Sequence, residues 1–533
     1  MKRVKTVVCF LLALAMLALF TSCGRGEKPS GPSSSDNNSG VSSAVSGEDA
    51  STPTDSDIST PSGEPGSAPD ASGGTTTTQK GKDPAAKPTS KGVTTTTTAK
   101  TNERKLYDDV VENMGGYEFI IANPWMNRKA AENAGLVERL YHQRFAEVEK
   151  AYNCTIRITD YYAGMEALAP RIMAGDKVAD VMKMLPEMWI PAAGAGYLRP
   201  WNDVFDIINE NDTRWISSRM NAKLNNKNYI MEFERPDEGG ATILWYNKDV
   251  LKAAGIKEDP AQLVLENKWT WAKFREMLKK TTDGKSKFGL IWADQWADPG
   301  RALAVSNGAR SAVSSGGTYK TAFTDPKYLE AMNFFDQIVN VDKTMKVLTE
   351  QKSESTFNNM NVKTAFSNFG KGNIAFVSGR AWYGTSLKAE YENLNYGVVV
   401  YPKGPSADGY YSYAQSLQGY AMTSTNKDYK KSAKIFRAIS RPPKDFEKMD
   451  VYESEVLSDY FVDGDAMSKR MLALSAQNGV VDVGYAVRTL NEALTTAEYG
   501  SIFWGTGTVS SALQALKGVY DKDVQSTFSK LPK

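Results

Sequence analysis

Histidine is nearly absent, since His142 is the only one in 533 residues. Zinc sites and Ser/His/Asp triads need imidazole in company or in a defined constellation, so neither is expected. His142 lies inside the helical pattern from Leu136 to Tyr152 and reads as a helix-surface residue. Cysteine is almost as scarce. Cys9 and Cys23 fall in the leader region, which leaves Cys154 alone and excludes a disulfide framework for the body. Excess charge is missing too: Lys+Arg 64 against Asp+Glu 62 gives a formal +2. Without concentrated positive charge to neutralise phosphates, nucleic acid is not an expected partner. What is abundant is aromatic, with 11 Trp, 25 Tyr and 20 Phe.

Residues 1–22 read as a signal peptide. Lys2, Arg3 and Lys5 precede an uncharged, mostly apolar run from Val7 to Phe20, and small residues follow. The run is too short to span a bilayer core of about 30 Å comfortably. From Gly24 to Asn102 there is no aromatic, Leu or Met, while Ser, Thr, Gly, Pro and Asp recur. Such a chain cannot bury enough apolar surface to offset ordering entropy, so residues 23–116 are expected to be a disordered tether. As a flexible coil it would reach about 50 Å.

The body alternates strand and helix signals. Tyr117 to Ala122 predicts a buried strand ending at Asn123-Pro124, the stripe Leu136, Leu140, Phe145, Val148, Tyr152 a helix, and Cys154 to Ile158 a second strand. Leu168 to Ala174 predicts a helix stopped by Gly175-Asp176, and Val178 to Met182 the next strand. Later, Thr242 to Tyr246 is strand-like, Thr270 caps a helix Trp271 to Lys280, and Asp325-Pro326 starts another. Asn373 to Val377 and Asn395 to Tyr401 predict strands, Lys430 to Ile439 and Val509 to Val519 helices. This rhythm implies an α/β fold with mainly parallel sheet.

Enzyme signatures are sparse. Gly284-Lys285-Ser286 ends like a phosphate loop, but Lys279 stands where the first glycine is required. Asp463-Gly464-Asp465 lacks the remaining ligands of a calcium loop, and no metal or cofactor is expected. Asp294 and Asp298, beside Trp292 and Trp296, could be the paired carboxylates of a glycosidase. The same mixture also suits a non-catalytic sugar site, because indoles stack on pyranose faces while acids and amides bond the hydroxyls. Trp125, Trp189, Trp292, Trp296 and Trp382 each follow a predicted strand. In open α/β sheets ligands sit beyond the carboxyl ends of strands, so these indoles suggest a shared cleft. Trp201, Trp215, Trp269 and Trp271 lack that placement and read as packing.

Leu19-Phe20-Thr21-Ser22-Cys23 resembles the lipobox of bacterial lipoproteins, with Phe20 where Leu is preferred, which implies lipidation of Cys23. From Tyr117 to Val519 the chain resembles the extracellular solute-binding proteins of bacterial ABC importers, in particular the carbohydrate-binding family related to the maltose-binding protein. The carriers are Arg171 to Val181, Leu198-Arg199-Pro200-Trp201, Trp245 to Val250 with Ala253 to Ile256, Trp269 to Phe274, Phe369 to Phe376, and Tyr396-Gly397-Val398 with Pro402 to Pro405.

The resemblance implies a two-lobed periplasmic-binding-protein-like fold closing over sugar. Lobe one would be 117–240 plus 396–445 and lobe two 241–395 plus 446–533. It implies a monomer, lipid-anchored on the extracellular face of the membrane, that hands a mono- or oligosaccharide to the permease subunits without covalent chemistry. Implied ligand residues are Trp382 in Ser378-Gly379-Arg380-Ala381-Trp382, Trp504 after Phe503, and Trp296 or Trp292 with Asp294. Glu187, Trp189, Asn123 and Trp125 join them from the loops after two strands, and Trp245 from the Tyr-Asn-Lys-Asp motif. The spacer from Tyr229 to Gly240, which contains Glu232 and precedes Trp245, departs from the family's compact approach to the Tyr-Asn-Lys-Asp motif. A secreted glycosidase and a surface adhesin that holds glycans without transport are the other readings.

Overall fold

The structure, a computed structural model, describes residues 111–126, 136–161, 164–209, 223–232, 241–293, 298–347, 362–391, 393–415, 417–441 and 465–532. Residues 1–22, expected to be a signal peptide, Cys23, nearly all of the expected tether, Trp215, Asp294 and Trp296 lie outside these residues. The body starts slightly before Tyr117. Met114 is buried, and its N–H donates to the Tyr152 carbonyl at 2.7 Å.

Two mixed sheets with flanking helices make up the described chain. The first holds β1 (Tyr117–Ala122), β2 (Cys154–Thr159), β3 (Val181–Met184) and β4 (Leu198–Arg199). The second holds β5 (Thr242–Asn247) and β6 (Phe288–Trp292), followed outside it by a hairpin of β7 (Ala312–Ser315) and β8 (Thr318–Thr321). β9 (Ile374–Arg380) and β10 (Tyr396–Val399) complete the second sheet, then β11 (Ser412–Tyr413) leads back to β12 (Gly419–Thr423), and β13 (Gly479–Val480) pairs with β11. The orders are β2-β1-β3-β12-β4 and β10-β5-β9-β6.

In the first sheet β1 runs parallel to β2 and β3, while β12 is antiparallel to β3 and β4. One face is covered by the helices Leu136–Tyr152 and Tyr429–Ile439. Phe119, Ile121, Phe145, Val148, Trp201 and Phe436 are buried in one cluster there. Burying such a side chain contributes about 1.5–3 kcal/mol each. Asp180, from the Ala-Asp-Val stretch, ties this layer together. Its carboxylate accepts from the Ile120 N–H at 2.8 Å and the Ser432 hydroxyl at 2.6 Å, and pairs with Lys177 at 3.0 Å.

β3 starts later than the predicted Val178. Val178 adopts φ 65, a left-handed conformation that a β-branched residue rarely takes, so extended pairing resumes only at Val181. The boundary expected at 396 also moves. β10 pairs antiparallel with β5, so the chain stays in the second lobe until β11 and rejoins the first sheet at β12. Gly397 is needed in that pairing, because a Cβ there would meet the Tyr246 ring at 2.7 Å.

The second lobe follows its local signals closely. The helix Trp271–Lys280 is capped by the Thr270 hydroxyl, and Trp269 and Trp271 are buried as expected. Asn247 caps Lys248–Ala253 by accepting from the Asp249 and Val250 amides, which gives the Tyr-Asn-Lys-Asp motif a folding role. After the helix Ala466–Gln477 packs on β10, the C-terminal helices Arg488–Ile502, Val509–Ala515 and Asp521–Thr527 complete this lobe. The chain ends against the first lobe, where the Lys530 N–H donates to the Gly194 carbonyl at 3.1 Å.

Candidate functional site

β1 and β3 end in the loops that carry the first lobe's candidates. Asn123 is buried just past β1, where its amide donates to the Tyr420 hydroxyl at 2.8 Å and its Oδ1 accepts from the Trp125 N–H at 3.0 Å. Trp125 itself is 55% exposed. Tyr420 also lies under Lys183, whose ammonium is 4.9 Å from the ring and forms a buried ion pair with Glu232. Asn123 and Glu232, both named from sequence, therefore belong to one chain of contacts in the first lobe. The pairing and the ring satisfy a charge that would be costly to bury alone.

Pro186 opens the helix Pro186–Gly194 directly after β3 and places Glu187 in its first turn, where the helix dipole favours a carboxylate. Glu187 is half-buried, and its Oε2 has no hydrogen-bond partner. Trp189, two residues on, is fully buried, and its Nε1 donates to the Leu417 carbonyl at 3.3 Å. Its indole is thus committed to the segment between β11 and β12.

In the second lobe β9 ends at Arg380, and the chain turns through Ala381 and Trp382 into the helix Tyr383–Glu390. The Arg380 guanidinium is 5.1 Å from the Trp382 ring and 5.7 Å from the Tyr383 ring, a double cation–π arrangement. Trp382 is 40% exposed. Trp504 is half-buried, and its Nε1 has no hydrogen-bond partner.

Trp245 and Trp292 are buried instead. Trp245 donates to the Arg380 carbonyl at 3.2 Å and meets Phe366 edge-on, so it supports the loop that carries Trp382. Trp292 lies between Tyr499 and Phe503, with ring centroids 5.6 Å and 6.5 Å away. Asp294 and Trp296 fall outside the described residues.

Charge links the two lobes here. Burial pushes the Glu187 carboxyl up from its ordinary range, and the positive charge of Arg380 pulls it back. Tyr485, in the short turn Val483–Ala486 packed against the Glu187 helix, is pushed up mainly by burial, with Arg301, Glu187 and Arg380 acting on it. Glu187, Arg380 and Tyr485 thus share one neighbourhood. Behind them lies a buried network. The Arg301 guanidinium donates to Asn491 at 2.7 Å and Thr495 at 3.0 Å, and pairs with Asp298 at 3.3 Å.

Asp298 is consumed by structure. Its Oδ1 accepts from the Gly300 and Arg301 amides as the cap of Pro299–Ser306, and its Oδ2 accepts from the Tyr499 hydroxyl. A carboxylate so occupied is poorly placed for acid or base work on a glycosidic bond. The phosphate-loop lookalike at Gly284 is a turn whose Lys285, Ser286 and Lys287 amides all bond Asp283. Asp465 caps Ala466–Gln477 and pairs with Lys248 at 3.2 Å. Surface hollows beside Trp271 and Phe334, and beside Asn247 and Lys371, take in none of the expected ligand residues.

Arg380, Tyr485 and Gln415 were not singled out in the sequence. Arg380 precedes the expected Trp382 by two residues and could have been flagged by that position. Tyr485 and Gln415 carry no local signal.

The sequence profile of the bacterial extracellular solute-binding proteins matches residues 130–436. Among proteins of known sequence, a binding protein of Brucella abortus is 26% identical over 184 residues, which cover 34% of this chain. The match spans 41% of the length of that relative. Among solved structures, the sugar-binding protein MalE of Xanthomonas citri aligns with TM-score 0.56 and 15% identity, covering 78% of this chain and 98% of that one. UgpB of Mycobacterium tuberculosis, solved with glycerophosphocholine, aligns with TM-score 0.51 and 16% identity over 78% and 99% of the two chains. A Listeria monocytogenes ABC substrate-binding protein, solved with cycloalternan, gives TM-score 0.50 and 16% identity over 78% and 99%. These likenesses establish the two-lobed binding-protein fold. With more than half its length matched by the profile, the chain belongs to the family of bacterial extracellular solute-binding proteins.

Proposed function

We infer that this protein is the lipid-anchored receptor of a sugar ABC importer, binding a mono- or oligosaccharide between its lobes and presenting it to the permease. The observation that carries the reading is an exposed Trp382 backed by the Arg380 guanidinium, whose charge also reaches the half-buried Glu187 of the other lobe. An indole offers a face to a pyranose, and the acid and guanidinium offer an acceptor and donors to its hydroxyls. Trp125 and Trp504 are further aromatic surfaces at strand and helix ends.

The neighbour solved with glycerophosphocholine warns that this fold does not choose the ligand. Here the aromatic supply favours a neutral polyol, and the Glu187 carboxyl, raised by burial and lowered again by the charge of Arg380, suits hydroxyls better than a strongly cationic ligand. Lys2, Arg3, Lys5, the apolar run and Cys23 support export and anchoring, and the Ser/Thr-rich stretch supports a tether. A hydrolase is disfavoured because the Asp298 carboxylate is tied into a helix cap and a buried ion pair.

A ligand that touches both lobes favours the closed state only by its differential affinity for that state. Small-angle scattering with and without sugar tests this. A bound oligosaccharide should shrink the radius of gyration without forming product, whereas binding with no change in radius would fit a non-transporting adhesin.

A further inference from the structure

Between β11 and β12 the chain makes a turn in which the Leu417 N–H donates to the Ala414 carbonyl at 3.2 Å. Gln415 stands in this turn, 1% exposed, and neither its Nε2 nor its Oε1 has a hydrogen-bond partner. A buried amide with both ends unmet is rare, because it has given up water for nothing in return. The hydroxyl of Ser412, three residues earlier and fully buried, is unmet as well, whereas buried polar groups past β12 are served. The Asn426 amide donates to Ser432 at 2.9 Å, and the Ser432 hydroxyl donates to Asp180 at 2.6 Å.

The position of the turn gives the unmet amide a meaning. On one side Trp189, from the helix that carries Glu187, donates to the Leu417 carbonyl. On the other side Tyr413, two residues before Gln415, lies in the field of Arg301 and Tyr485, and Tyr485 lies in that of Glu187 and Arg380. Gln415 therefore sits where the chain recrosses between the lobes, two residues from the carbonyl that holds the Trp189 indole of the Glu187 helix. Glu187 Oε2 is unmet as well.

We propose that Gln415 is a ligand-binding residue on the floor of the cleft, its Nε2 donating to one hydroxyl oxygen of the sugar while its Oε1 accepts from the adjacent hydroxyl. A vicinal diol presents an acceptor and a donor side by side, which is the complement of a carboxamide. This proposal rests on the sugar-receptor reading and adds a specificity element to it. A ligand lacking the diol would leave the amide unpaired inside a closed site, and would be rejected for that reason.

The test uses the full chain and the sugar, among maltose, maltotetraose, cycloalternan and tagatose, that binds wild type. Gln415→Leu keeps the volume and removes the amide. Calorimetric affinity should fall by about tenfold or more, while the ligand-free unfolding midpoint holds or rises because an unpaired polar group has gone. Gln415→Asn, which retracts the amide and keeps its polarity, should also weaken binding, and it serves if the leucine variant does not fold. Unchanged affinity in either variant overturns the proposal, as does a loss of affinity matched by a lower ligand-free midpoint. A wild-type chain that binds no sugar of the panel defeats the sugar reading itself. Wild-type binding with unaffected variants defeats only the role of Gln415.

Discussion

Trp189 and Leu417 are joined by a hydrogen bond from the indole Nε1 to the backbone carbonyl at 3.3 Å. The bond ties the helix that opens with Glu187 to the segment leading from β11 back into the first sheet. A buried indole that looks from sequence like a stacking platform is therefore a strut between site and crossing.

Trp189→Phe keeps an aromatic ring but leaves the Leu417 carbonyl without its donor. The expected cost is about 1–3 kcal/mol of stability, read as a lower chemical-denaturation midpoint. An unchanged midpoint would mean that the carbonyl finds water and that the strut is dispensable.

Trp382→Ala should act on binding instead. Removing a half-exposed anchor should weaken sugar binding by about 2 kcal/mol or more while the fold holds its melting temperature. If titration gave the wild-type Kd, Trp382 would leave the site.

Asp298→Ala separates cap from catalyst. Losing the cap and the partner of Arg301 should destabilise the chain by about 2 kcal/mol or more, and sugar should remain intact with or without the substitution. Turnover present in wild type and abolished by the softer Asp298→Asn would revive the hydrolase.

Burial pushes the Glu498 carboxyl up to about 7, with Arg301 opposing and Asp298 adding to the rise. An unfolded glutamate titrates near about 4.3. The native state therefore holds the proton more tightly, so this contribution is full below about pH 4.3 and is lost as pH rises through about 7. Glu498→Gln still offers an oxygen to the Tyr328 hydroxyl, which donates to Glu498 at 2.6 Å. The variant should show a flatter decline of melting temperature between about pH 5 and pH 8 than wild type. Parallel declines would mean that Glu498 does not titrate there.

Much of the fold was legible because its signals are local. The Thr270 cap, the apolar face of Trp271–Lys280 and the proline start at Pro326 act within a turn or two of chain. What was not legible depends on partners far away in sequence. β10 joins β5 across some 150 residues, a pairing no window over Tyr396–Val399 reveals. For the same reason the faces of Trp189 and Trp292, read as following strands, and of Trp245, read from the Tyr-Asn-Lys-Asp motif, were not legible, because their burial depends on Leu417, Tyr499 and Arg380. Trp382 differs from them only in pointing its ring at an arginine and solvent.

The most direct test of the account is thermal unfolding of the full chain against mono- and oligosaccharides, with amino acids, peptides and polyamines as controls. A ligand selective for the native state raises the midpoint by mass action. A rise with one class of sugar is expected, with no rise for the controls and the sugar recovered intact. A rise confined to peptides or polyamines, or consumption of the sugar, would contradict it.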